Sequence, residues 1–187
     1  KELKVMDLSE LLFALDRKKI DLIVSGLTMT SGRKKRIDMI HYHGGGQKTV
    51  PVAFWKEVPA GVKTFDDIAK MGLSVVLESG SSWEDCAGVM GLTKIKGFAH
   101  YPEMVFEIKH GKSDAVLFDP DIVGLYLSKF PEIKIAQLPL NGKFEIFGLG
   151  IGVHKTTPKL RDEVTVVIKQ MREDGTLSRL ESKWRLN

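Results

Sequence analysis

Apolar residues along the 187-residue chain switch repeatedly between two spacings. Short β-branched or continuous apolar runs read as strands, and recurrence every three to four residues reads as one face of a helix. Lys4 to Leu8 is a short extended candidate, followed by a helix from Ser9 to Arg17 with Leu11, Leu12 and Leu15 on one face behind a Ser9 cap. Ile20 to Val24 (IDLIV) predicts a buried strand. Lys48 to Trp55 (KTVPVAFW) predicts another, with Pro51 indicating an edge or a crossing segment. Helices are expected over Thr64–Lys70, Ser82–Met90, Pro102–His110 and Pro120–Lys129, and strands over Ser74–Leu77, Ala115–Phe118 and Ile133–Leu138. A glycine-broken extended run follows at Phe147 to Val153 (FGLGIGV). The last two helices, Pro158–Arg172 and Thr176–Trp184, are split at Asp174-Gly175. Such alternation predicts an α/β fold with mostly parallel strands.

One segment echoes another. LFALDRKKIDLIVSG (Leu12 to Gly26) aligns with VFEIKHGKSDAVLFD (Val105 to Asp119) at a constant offset of 93. Phe13 matches Phe106, Leu15 matches Ile108, Lys19 matches Lys112 and Asp21 matches Asp114. The echo is what two similar lobes would produce, and it sets Gly26-Leu27-Thr28 and Asp119 at matching carboxyl ends of strands. Open α/β sheets bind ligands at such ends.

Composition adds bounds. The length suits one domain or two small lobes and buries roughly 70% of the unfolded surface. At 43% apolar and 28% charged the chain is ordinary for a globular protein. No apolar run approaches the roughly 18 residues of a membrane span, and no signal peptide opens the chain. The single cysteine, Cys86, excludes an internal disulfide and supplies no metal spacing. Net charge is +4 and spread along the chain, whereas a nucleic-acid binder concentrates charge on one face with aromatics interleaved.

Three stretches could carry chemistry. In SGLTMTSGRKKR (Ser25 to Arg36), Thr30 is a good helix cap and Arg33 falls in the first helical turn. First-turn N–H groups beside a guanidinium make a carboxylate or phosphate site, though four bases in a row also read as a solvated face or a nucleic-acid patch. In ESGSSWED (Glu78 to Asp85), Gly80 permits a tight turn, and Ser81 or Ser82 caps a helix with Glu84 or Asp85 as its reciprocal partner. That turn also offers donors to an anion. Asp119 either accepts from an ammonium or caps the helix from Pro120.

Other features carry less. His41-x-His43 has no further ligands at metal spacing. Gly44 to Gly46 lacks the context of a phosphate loop, no helix follows GLGIG, and no Ser-His-Asp or Cys-His order emerges. Neither metal nor cofactor is expected.

The residues together resemble a known family. KKIDLIVSGLTMTSGRKKRID, TFDDIAKMGLSVVLESGSS, HGKSDAVLFDP and FGLGIGVHKTTPKLRDEVTVVIKQMREDGTLSRLESKW occur in the order seen in family 3 bacterial extracellular solute-binding proteins, the amino-acid receptors of ABC importers. The resemblance implies a type II periplasmic-binding-protein fold, with lobe 1 over residues 1–48 and 146–187 and lobe 2 over 49–145. It implies capture of a polar or basic L-amino acid, glutamine or arginine, by a monomer that passes it to membrane permease subunits. Arg33 would hold the α-carboxylate, with Ser81 and Ser82 gripping it from the other lobe, and the Gly26 carbonyl, Thr28 and Asp119 would surround the α-ammonium. The expected location is periplasmic or extracellular, with or without a lipid anchor. Two departures stand out: the family's opening strand and helix have no counterpart before Lys4, and His41-Tyr42 stands where the family has Pro-Tyr. The alternatives are a periplasmic dehydratase-like enzyme on the same scaffold, with Glu78 as its candidate acid, and a ligand-sensing domain.

Overall fold

The structure is a computed structural model and describes residues 2–140 and 142–184. The first half of the chain forms α1 (Leu8–Asp16), β1 (Leu22–Thr30), α2 (Ser31–Arg36), β2 (Asp38–His43), β3 (Thr49–Trp55), α3 (Phe65–Lys70), β4 (Val75–Glu78) and α4 (Ser82–Val89). The second half forms β5 (Ile95–Phe98), α5 (Tyr101–Lys109), β6 (Ala115–Leu117), α6 (Pro120–Lys129), β7 (Ile133–Pro139), β8 (Ile146–Val153), α7 (Pro158–Glu173) and α8 (Thr176–Trp184). These divide into two compact units. Unit 1 is Lys1–Met6, Glu10–Gly46 and Ile146–Asn187, and unit 2 is Asp7–Ser9 with Gln47–Glu145.

Unit 1 is built on a three-stranded sheet in the order β1-β8-β2, with β8 antiparallel to both neighbours. The glycines of GLGIG explain the middle strand. A Cβ at Gly150 would lie 2.8 Å from the Met29 side chain, and one at Gly152 would lie 3.0 Å from Leu27. Both glycines therefore let neighbouring side chains lie directly over the backbone, a packing role rather than a phosphate-binding one. Ile40, Ile151 and Val153 meet Ile168 of α7 and Leu177 of α8 in a buried cluster.

Unit 2 holds a five-stranded sheet in the order β5-β4-β6-β3-β7. Strands β5, β4 and β6 run parallel, while β3 lies antiparallel to β6 and β7. Ala53, Val76 and Val116 from the sheet pack with Met104, Val105 and Ile108 of α5. Each of the Val, Met and Ile side chains among them contributes roughly 1.5–3 kcal/mol on burial. Helices α5, α4 and α6 each begin just after parallel strands β5, β4 and β6, so three helix starts share one edge of the sheet.

Several sequence expectations need correction. Lys4–Leu8 is not a strand: it carries no regular element until α1 begins at Leu8. Pro51 is not on an edge strand, since β3 lies between β6 and β7. Its carbonyl accepts from the Phe118 N–H at 3.1 Å, so its own nitrogen also faces the β6 side, where the β6 ladder ends at Val52–Leu117. A missing donor costs little there. Among the described residues four of the six strand pairings are antiparallel, against the mostly parallel expectation. The physical cause is that β3 and β8 each insert into a sheet against its prevailing direction, a long-range pairing no local pattern encodes. Finally, β2 and β5 form where no strand was expected.

Candidate functional site

In unit 1 the SGLTMTSGRKKR stretch becomes the second half of β1 and all of α2. The strand and helix meet at Thr30, whose extended backbone and side chain, accepting from the Arg33 N–H at 3.1 Å, cap α2. That cap turns Arg33 inward: the residue is 6% exposed, and its Nη1 donates to the Thr28 carbonyl at 3.0 Å. The four bases do not form one solvated face. Lys34, Lys35 and Arg36 are exposed, with Lys34 Nζ 3.5 Å over the Phe147 ring, and Arg33 alone is buried. Thr28 is buried too.

Gly26 and Thr28 lie within β1, not past its carboxyl end as the internal echo implied. Between Ile23 and Leu27 the pairing with β8 slips, and Gly26 sits in this bulge at φ +57°, a backbone conformation that suits glycine. The bulge exposes Gly26 and re-aims the strand before Thr28.

In unit 2 the ESGSSWED turn joins β4 to α4. Ser81 caps the helix, its Oγ accepting from the Trp83 N–H at 3.2 Å, and its own N–H donates to the Glu78 carbonyl at 3.1 Å. Glu84 completes the turn by accepting from the Gly80 N–H at 3.0 Å. Gly80 has φ +75°, and a Cβ there would lie 2.8 Å from Ser9. Both Ser81 polar groups are thus used inside the turn. Ser82 differs: it is 2% exposed, and its Oγ is one of two buried side-chain polar atoms among the described residues that lack a hydrogen-bond partner.

The other is the Tyr101 hydroxyl. Tyr101 opens α5 beside Pro102 and stacks on Phe118 with ring centroids 5.4 Å apart, while Tyr126 of α6 lies 5.9 Å from Tyr101. Burial, then the Asp119 carboxylate, then that of Glu78 push the Tyr101 ionisation well above the usual phenol range. A hydrogen bond from the Asp119 backbone acts in the opposite sense in smaller measure, a contact too poorly aligned to satisfy the hydroxyl. Asp119 occupies the cap position of α6 yet makes no side-chain cap bond, so capping does not account for its carboxylate. Tyr101 was missed from sequence; an aromatic just ahead of Pro102, at the start of an expected helix, was the available signal.

Elsewhere the chemistry is structural. His41 Nε2 donates to the Gly44 carbonyl at 2.7 Å, and His43 Nδ1 pairs with Glu181 at 2.7 Å, both within unit 1. Among the described residues no group of three or more His, Cys, Asp or Glu could hold a metal ion. Burial, with Asp85 second, pushes the Cys86 thiol up to about 12, which leaves it unreactive. No helix among the described residues is long and apolar enough to cross a membrane.

Comparison with known proteins places these features. The model of the bacterial extracellular solute-binding proteins, family 3, matches residues 1–187. A probable ABC transporter arginine-binding protein, ArtJ of Chlamydia trachomatis serovar D, is 29% identical over 98% of this chain and 72% of its own length. Among solved structures, the substrate-binding protein of an amino acid ABC transporter superposes with a TM-score of 0.83 at 26% identity, covering all of this chain and 80% of the other. An ancestral arginine-binding protein, solved with arginine and with glutamine, superposes at 0.77 with 28% identity, covering 98% of this chain and 79% of its own.

Proposed function

The chain belongs to the bacterial extracellular solute-binding proteins, family 3, and from that premise we propose that it captures one polar or basic L-amino acid, arginine or glutamine, and presents it to the permease subunits of an ABC importer. Its α/β units carry the type II periplasmic-binding-protein fold. In this reading Arg33 clamps the ligand carboxylate, with Ser82 and the Ser81 turn meeting the same group. The Gly26 carbonyl, Thr28 and Asp119 take the α-ammonium. The lobes correspond to residues 1–48 with 146–187 and to residues 49–145, and ligand capture swings them about crossings near residues 48–52 and 145–148. The protein acts as a monomer in the periplasm or at the cell exterior, by binding rather than turnover.

The observation that carries the reading is the buried Arg33. A buried guanidinium keeps its charge, and its planar fork of donors matches a carboxylate bidentately. The Thr28 carbonyl fixes one arm of that fork, so it is oriented in advance.

A thermal-shift screen against the twenty amino acids tests it. At 100 times the dissociation constant the ligand adds roughly 2.7 kcal/mol of stability. A saturable shift with arginine or glutamine, lost in Arg33→Ala, supports the receptor. No shift with any amino acid, together with turnover of a prephenate-like acid, would instead support the dehydratase-like reading.

A further inference from the structure

Two buried hydroxyls in unit 2 make no well-aligned hydrogen bond among the described residues, and the proposed function uses only that of Ser82. The Tyr101 hydroxyl remains to be explained. Leaving such a group unsatisfied costs roughly 1–3 kcal/mol, so native proteins keep few of them, commonly where a water or ligand arrives.

Its surroundings narrow what arrives. Tyr101 starts α5 at the sheet edge where β5, β4 and β6 end, the edge that also carries Glu78, Ser82 and Asp119. The ring is held by Phe118 on one strand end and by Tyr126 of α6. Phe118 is fully buried, so the phenol is fixed rather than free to swing to water. The two carboxylates that act on the phenol belong to Glu78 and Asp119. A phenol in this setting stays protonated and neutral: its O–H is a donor that a neighbouring carboxylate can take, which leaves the oxygen lone pairs as acceptors among anionic neighbours. The group that complements an oxygen acceptor among carboxylates is a protonated nitrogen.

We propose that Tyr101 is a ligand-contacting residue whose hydroxyl oxygen accepts from a protonated nitrogen of the bound amino acid. The proposal rests on the amino-acid-receptor reading above. The nitrogen is either the α-ammonium, common to every amino acid, or the side-chain guanidinium or ammonium of a basic one.

Tyr101→Phe keeps the ring and its stacking and deletes only the oxygen. Isothermal titration of the parent chain and this variant with arginine, lysine and glutamine tests the contact, with the ligand-free melting temperature of each recorded alongside. The expected result is a loss of roughly ten-fold or more in affinity. The ligand-free melting temperature should change little, because the lost hydroxyl makes no well-aligned bond among the described residues. An equal loss for all three ligands assigns the α-ammonium, and a loss confined to arginine and lysine assigns the side-chain nitrogen. Unchanged affinities in a variant that still melts like the parent would overturn the Tyr101 contact while leaving the receptor reading intact. A parent chain that binds none of the three would overturn both. If Tyr101→Phe melts early, Tyr101→Trp and Tyr126→Phe provide the comparison: a ring-packing role predicts that affinity and melting temperature fall together, which also counts against the contact.

Discussion

The Nη1 of Arg33 donates to the backbone carbonyl of Thr28 at 3.0 Å, tying the first turn of α2 back to the strand it leaves. This bond helps orient a buried guanidinium, which in the proposed receptor meets the ligand carboxylate. Arg33→Ala should therefore weaken amino-acid binding by roughly ten- to hundred-fold, the range of a charge-assisted hydrogen bond. Arg33→Lys keeps the charge but not the fork and should recover only part of that loss. Titration calorimetry on both variants checks the order, and equal affinities for Arg33→Lys and the parent would show that charge alone suffices.

Neighbouring serines should separate stability from binding. Ser81 supplies the α4 cap, and removing such a cap costs about 1 kcal/mol. Ser82 Oγ has no partner to lose. Ser81→Ala is thus expected to lower the midpoint of chemical unfolding, with Ser82→Ala leaving it unchanged while weakening ligand binding several-fold. The reverse pattern would assign Ser82 to the fold and Ser81 to the ligand.

Glycines of positive φ offer a paired test of close packing. Gly148 at φ +93° sits where a Cβ would lie 2.6 Å from the Gly44 carbonyl oxygen and 2.7 Å from His41 Nε2. Gly175 at φ +76° has nothing within 4 Å. Both alanine variants incur backbone strain of roughly 1–2 kcal/mol, but Gly148→Ala adds a steric term against backbone that cannot move aside. Gly148→Ala should lose at least twice the unfolding free energy that Gly175→Ala loses. Similar losses in the two would mean that β8 shifts to make room.

How far the sequence led depends on the range of the interaction. Helix starts set by local chemistry were partly legible: Thr30 and Ser81 cap the helices expected after them, whereas Ser9, expected as a cap, lies inside α1. The internal echo also carried into burial, with Leu15 and Ile108 both buried and Phe13 and Phe106 both exposed. Even the flanking contacts correspond, Arg17 lying over Phe13 and His110 stacking on Phe106. What local pattern could not show was the pairing of β8 between β1 and β2, because those residues lie more than a hundred positions apart. β2 (DMIHYH) alternates too weakly to announce itself, and β5 (IKGF) holds a glycine where a Cβ would press on Ser79 and Glu84. Asp119 shows a different limit. Its spacing fits a cap, and only the side-chain geometry reveals that it does not serve as one.

Asp67 Oδ2 accepts from the Lys63 N–H at 3.0 Å and from the Thr64 N–H and hydroxyl at 2.8 Å each, closing a capping box on α3. The Thr64 side chain, first, and the Lys63 backbone hold its carboxyl below the ordinary value of 3.8. Glu107, bonded to Lys96 at 3.0 Å and to Ser113, is held below its ordinary 4.5 chiefly by the Lys96 bond. Both folded values are depressed, so the unfolded chain takes up protons first as pH falls. Their stabilising contribution is complete above the ordinary values and is lost as pH drops through the lower folded ones. Unfolding free energy should consequently show no dependence on these two groups from pH 7 to about 5, then fall below about pH 4. Asp67→Asn cannot titrate at this position. It should start lower at pH 7 and show a shallower decline in acid, so the two curves converge. Denaturant melts of both proteins at half-unit steps from pH 6 to 2.5 measure this directly. Parallel curves would show that the capping-box carboxylate is no better held in the folded chain than in the unfolded one.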